Sequence, residues 1–229
     1  MRKVRSDKGQ IRYDDRDVIA LRWVAEQYAV RLDSLGRLLG RTAQGPTKIE
    51  GQLQDSGVNR VLRRWLQDEV AATRKLYVRQ PGWVWITPSG LRQLELPFKA
   101  WRPTIGGRLN HLHHVNEVRL RIEAQFSDGR WHPERALRRE HSGDERFHIP
   151  DGEFYFGGYS YGIEVELTAK SAERARRLAF QVTEQYDRVW YFVNDQTRPV
   201  IEEATKQLVD RIQIYDIAAV VKAETESNA

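Results

Sequence analysis

The chain has 229 residues, 40% of them apolar, with seven tryptophans, no cysteine and a net charge of +5. That is enough for one large core or two small ones and too apolar for a disordered chain; the missing cysteines exclude disulfide frameworks, thiolate zinc sites and cysteine nucleophiles. No apolar run is long enough to cross a bilayer and Met1-Arg2-Lys3-Val4-Arg5 is no secretory leader, so a cytoplasmic protein with no membrane partner is expected.

Residues 1–15 read as a polar tail. From Asp17, the positions Val18, Leu21, Trp23, Val24 and Tyr28 recur at helical spacing. A second helix is expected over Asp33 to Leu39, ending at Gly40. Arg41 to Gly57 reads as an extended connection, and a third helix as running from about Val58 to Val70. Two short strands, Lys75 to Val78 and Trp83 to Ile86, flank the turn Gln80-Pro81-Gly82. Thr87 then caps a helix opening at Pro88.

Three helices followed by a hairpin is the order of a winged helix-turn-helix, in which the third helix enters the major groove. That helix carries Asn59, Arg60, Arg63 and Arg64, residue types that bond base edges in pairs. Arg74, Lys75 and Arg79 on the hairpin are expected to touch phosphates. The charge agrees: residues 1–110 hold 21 Lys/Arg against 11 Asp/Glu, the remainder 16 against 21. A basic first half and an acidic second half suggest two units, the first with double-stranded DNA as partner.

The division expected is 16–96 for the DNA-binding unit, 97–110 for a linker with two prolines and Gly106-Gly107, and 111–220 for the second unit. Residues 221–229 read as a tail. The second unit opens with a helix, His111 to Phe126, that turns Leu112, Val115, Val118 and Ile122 inward. Strand-like runs follow at Trp131 to Arg139, Phe147 to Phe156 and Tyr159 to Leu167. A helix from Ser171 to Tyr186, the strand Val189 to Val193, a helix around Ile201 to Arg211 and the strand Ile212 to Ile217 complete it. The fold class is thus α+β or α/β, a winged helix followed by an αβββαβ unit.

Strand alternation turns Ile163, Val165 and Leu167 one way and Glu164 and Glu166 the other. A turn at Gly157-Gly158 can bring Asp151 beside Glu164. Clustered carboxylates raise one another's pKa unless a cation relieves them, and oxygen donors around an open site suit Mg²⁺ or Mn²⁺; no organic cofactor is expected. The plainer alternative is a surface ion-pair network with Arg138, Arg139 or Arg174. His111 and His114 have the spacing of metal ligands but read as residues lining a contact between the units. His148 reads as an edge-strand side chain, and Trp190, Tyr191 and Phe192 as core.

The order αβββαβ with Pro150-Asp151 and Glu164-Val165-Glu166 resembles the PD-(D/E)XK nuclease superfamily. The whole chain, through "VNRVLRRW", "VWITPSG", "HLHHVNEVRL", "WHPERAL", "IPDG", "YGIEVELTAKS" and "YDRVWYFV", is similar to the replication-relaxation family of plasmids and integrative elements. That resemblance implies a winged helix joined to a restriction-endonuclease-like domain, with Asp151 and Glu164 as metal-binding acids and Glu117 as the first-helix glutamate. Glu166 stands where the superfamily has lysine, and Lys170 is the nearest substitute. The family implies a DNA-binding protein acting in replication, relaxation or transfer. The alternatives are an active Mg²⁺-dependent endonuclease, or a transcriptional regulator whose second domain has lost catalysis and serves in partner binding or as a homodimer contact.

Overall fold

A computed structural model describes residues 13–42, 48–49 and 52–222. The expected polar tail lies outside these residues up to position 12, as does the C-terminal tail from 223 and much of the connection after Arg41. The protein is a mixed α and β structure. Along the first half run α1 (Asp15–Glu26), β1 (Val30–Arg31), α2 (Leu32–Thr42), β2 (Lys48–Ile49), β3 (Gln52–Leu53), α3 (Asp55–Gln67), β4 (Ala71–Arg74), β5 (Trp83–Ile86) and α4 (Pro88–Gln93). Asp14 caps α1 by accepting from the Asp17 amide at 2.8 Å. Thr87 caps α4 in the same way, with Pro88 in its first turn.

Two boundaries differ from the sequence reading. The first hairpin strand is Ala71–Arg74 rather than Lys75 to Val78; Leu76 and Tyr77 follow its end and pack against the cluster of Trp83 and Trp85. The helix before it starts at Asp55, ahead of Val58. Helices α1 to α3 and one face of the sheet β1-β5-β4 enclose a core of Leu21, Val24, Leu35, Leu39, Val61, Trp65, Val84 and Ile86.

The second half contains α5 (Gly107–Gln125), β6 (Arg130–Pro133), α6 (Glu134–Glu140), β7 (Gly152–Phe156), β8 (Tyr159–Glu166), α7 (Ala172–Gln185), β9 (Arg188–Val193), α8 (Arg198–Thr205), β10 (Ile212–Asp216) and α9 (Ile217–Lys222). Helix α5 therefore begins inside the stretch expected to be a linker. The strand expected over Trp131 to Arg139 is cut short. Pro133 cannot donate to a ladder and closes β6, after which Glu134 and Arg138 pair across one helical turn at 2.6 Å. Pro150 likewise confines the following strand to Gly152–Phe156.

These strands form one mixed sheet of order β10-β9-β8-β7-β6, with β8, β9 and β10 parallel. Gly157 and Gly158, at φ of 59° and 83°, make the tight β7–β8 turn that L side chains resist. One face of the sheet packs Ile163, Val165, Trp190 and Phe192 against Val115, Val118 and Ile122 of α5. The other packs Val189, Tyr191 and Val193 against α7 and α8.

The two halves share elements rather than meeting at a thin surface. All four residues of β5 are buried: Val84 and Ile86 face the first core, while Trp83 and Trp85 pack with Ala29 against Leu109 and Leu112 of α5. Opposite its sheet-facing side, α5 sends Asn116 to the Ala29 carbonyl at 2.9 Å and Glu117 to the Ser34 hydroxyl at 2.6 Å and to Arg37. Arg119 bridges Glu26 and Glu123, each at 2.7 Å. Among the described residues no helix is long and apolar enough to cross a membrane.

Candidate functional site

The carboxyl end of β8, the residues just before β7 and the start of α5 enclose a cavity of about 180 Å³. It lies beyond the carboxyl ends of parallel strands, where sheets of this kind leave room for ligands. Asp151, Glu164, Glu166 and Lys170 all line it, so the structure brings these four expected residues together. Asp151 is held by the β7–β8 pairing: its amide donates to the Ile163 carbonyl at 3.0 Å, and its Oδ2 accepts from the Val165 amide at 2.8 Å.

The acids' partners are not the arginines that the sequence offered. Asp151 Oδ1 shares a hydrogen bond of 2.7 Å with His111 Nε2, and Glu164 Oε1 one of 2.6 Å with His148 Nε2. Glu166 is bonded to Lys170, four residues on. Burial raises the Glu164 carboxyl, with only part of that effect offset by His148. Burial works against charge on both imidazoles, but the bond and charge of Glu164 raise His148 and the charge and bond of Asp151 raise His111. Tyr191, which opposes Glu164 in register, is kept a neutral phenol by burial and by the neighbouring acids. The carboxylates of the cavity wall are thus each hydrogen-bonded to a basic side chain.

The sequence reading named both histidines but paired neither with an acid. Their signal was the closeness of His148 to Asp151 in sequence and the position of His111 at the start of a helix, and neither says which acid an imidazole will meet.

A hard cation is chemically suited to Asp151 and Glu164, whose carboxylates face one cavity. In this arrangement His111 and His148 bond the same carboxylates, and among the described residues no group of three or more His, Asp or Glu converges as a ready-made cage. A bound ion would replace those imidazole bonds and place a Lewis acid beside Lys170.

Glu117 is not part of this site. It is 2% exposed and points at α2, where Ser34 and Arg37 hold it. A helix buried on two sides has two inward faces, and Glu117 lies on the one turned from the sheet. Arg64 is likewise committed, paired with Asp17, which is 1% exposed on α1. Asn59, Arg60 and Arg63 stand exposed along α3, and Arg74, Lys75 and Arg79 are exposed on the β4–β5 hairpin. Compared with known proteins, the chain matches no protein-family model and no curated protein.

Proposed function

We propose that this chain is a duplex-DNA-binding protein of a plasmid or integrative element, acting in replication, relaxation or transfer. Its first unit is read as a winged helix, with α3 as the recognition helix and the β4–β5 hairpin as the wing; its second is read as a restriction-endonuclease-like unit. The observation carrying this reading is the outer face of α3. Asn59 and Arg63 share a side one turn apart, Arg60 lies beside them, and neither arginine forms an ion pair among the described residues. Unpaired arginines beside an asparagine are suited to base edges, and the exposed Arg74, Lys75 and Arg79 to the flanking phosphates. Arg64 belongs to the scaffold instead.

The test is fluorescence anisotropy of a labelled duplex titrated with wild type and with the double variant Arg60→Ala, Arg63→Ala across a salt series. Affinity is expected to fall roughly tenfold or more, with a shallower salt dependence. Binding equal to wild type rejects the assignment of α3.

A second reading, a Mg²⁺- or Mn²⁺-dependent endonuclease, is favoured by one observation: Asp151 and Glu164 line one cavity with Lys170. Asp151 and Glu164 would hold the ion and Lys170 would supply the cation near a phosphate. Nicking of supercoiled plasmid that needs the metal and disappears in Asp151→Ala supports it, with metal binding followed separately by tryptophan fluorescence. Equal nicking by both proteins counts against it.

A further inference from the structure

Beside the acid cavity, between the two units, lies a second cavity of about 250 Å³ lined by Tyr28, Arg108, His111, Glu134, Arg138 and Asp151 among others. The two cavities share His111 and Asp151, so the hydrogen-bonded pair stands between them. Arg108, the second residue of α5, lies 4.9 Å from the Tyr28 ring centroid and 5.8 Å from that of Trp101. The two rings meet edge to face at 5.6 Å. Contact with aromatic faces positions a guanidinium while leaving its N–H donors unused.

The acids around it are taken. Asp151 is bonded to His111, Glu134 to Arg138 and Glu26 to Arg119. Arg108 itself forms no ion pair among the described residues. The cleft therefore holds a positioned guanidinium whose neighbouring acids, Glu26, Glu134 and Asp151, are each paired with another side chain. Tyr28 reinforces the point: it occupies φ of 66°, just past the end of α1, a place that usually selects glycine. The ring there seats Arg108 on one side and Arg135, 4.5 Å away, on another. The hairpin loop adjoins the same spot, since the Tyr77 hydroxyl accepts from the Gly106 amide at 3.2 Å.

We propose that Arg108 is a phosphate ligand: it grips one phosphodiester of a DNA strand that runs from the β4–β5 hairpin across the start of α5 to the Asp151–Glu164 cavity. A planar fork of N–H donors matches phosphate oxygens in pairs, which an ammonium does not. The proposal rests on the DNA-binding reading and adds a contact made by the second unit.

The experiment compares wild type, Arg108→Gln, Arg108→Lys and the Arg60→Ala, Arg63→Ala double variant, using a fluorescein-labelled duplex in anisotropy titrations over a range of NaCl. Circular dichroism melting checks that each variant is folded. Arg108→Gln is expected to weaken binding several-fold and to lower the slope of log K against log salt by about 0.9, the value of one duplex phosphate. Arg108→Lys keeps the slope and recovers only part of the affinity. If the α3 double variant weakens binding while Arg108→Gln leaves affinity and slope unchanged, this inference is overturned and the DNA-binding reading stands. If wild type ignores the duplex, both are overturned.

Discussion

Asp17 lies on α1 with its carboxylate buried and the Arg64 guanidinium beside it. Burial raises the Asp17 carboxyl and Arg64 draws it back down. Removing Arg64 leaves the buried Asp17 carboxylate with only Arg16, at 3.9 Å, to compensate it. Arg64→Ala should therefore lower stability in urea by roughly 2–4 kcal/mol, while the exposed Arg60→Ala and Arg63→Ala should each stay within about 0.5 kcal/mol of wild type. Equal effects from all three would contradict the separation of the scaffold Arg64 from the exposed Arg60 and Arg63. Among the histidines, burial and the neighbouring Arg31 push His113 down to about 3. The unfolded chain takes up a proton below the ordinary value of 6.5, and the fold refuses it until about 3, so stability falls as pH drops through that window. His113→Gln should flatten the decline in urea midpoints across it; an unchanged slope would assign the acid sensitivity elsewhere. His111 and His148 act with the opposite sign. Their values are raised, so their contribution is complete below the ordinary imidazole value and is lost as pH climbs through the raised ones.

At the scale of elements, strand β8 shows what the sequence can and cannot reveal. The alternation Ile163, Val165 against Glu164, Glu166 was readable because a strand has a period of two, and the continuous apolar run at Val189 to Val193 marked a strand covered on both faces. Asp151, Glu164, Glu166 and Lys170 were thus legible as neighbours. Glu117 was named through the resemblance alone; α5 is buried on two sides, and Glu117 lies on the face that meets Ser34 and Arg37 rather than the sheet. The partnership of His111 with Asp151 was hidden, since it depends on how α5 crosses the strands. Close packing adds one more constraint on β8. A methyl group at Gly162 would approach the Tyr186 ring to 2.8 Å and Val182 to 3.0 Å. Gly162→Ala should cost about 1–3 kcal/mol in thermal or urea unfolding; a neutral result would mean that α7 does not lie as close to the sheet as described.

For the whole molecule, the consequence of a shared strand and a shared helix is mechanical. β5 contributes to both the first core and the Trp83–Trp85 cluster on α5, and Trp23, Arg41 and Arg119 all reach Glu123. Calorimetry should therefore record a single cooperative transition with matching calorimetric and van't Hoff enthalpies; two resolved transitions would show independent units. The same coupling keeps α3, the hairpin and the acid cavity in one frame, so a duplex bound at α3 as proposed would be presented at a set distance to the cavity. Hydrogen exchange of the intact protein, with and without a DNA duplex, tests this most directly. Protection is expected in α3, in the β4–β5 hairpin and at the start of α5. Protection confined to α7 and α8, or none anywhere, would contradict it.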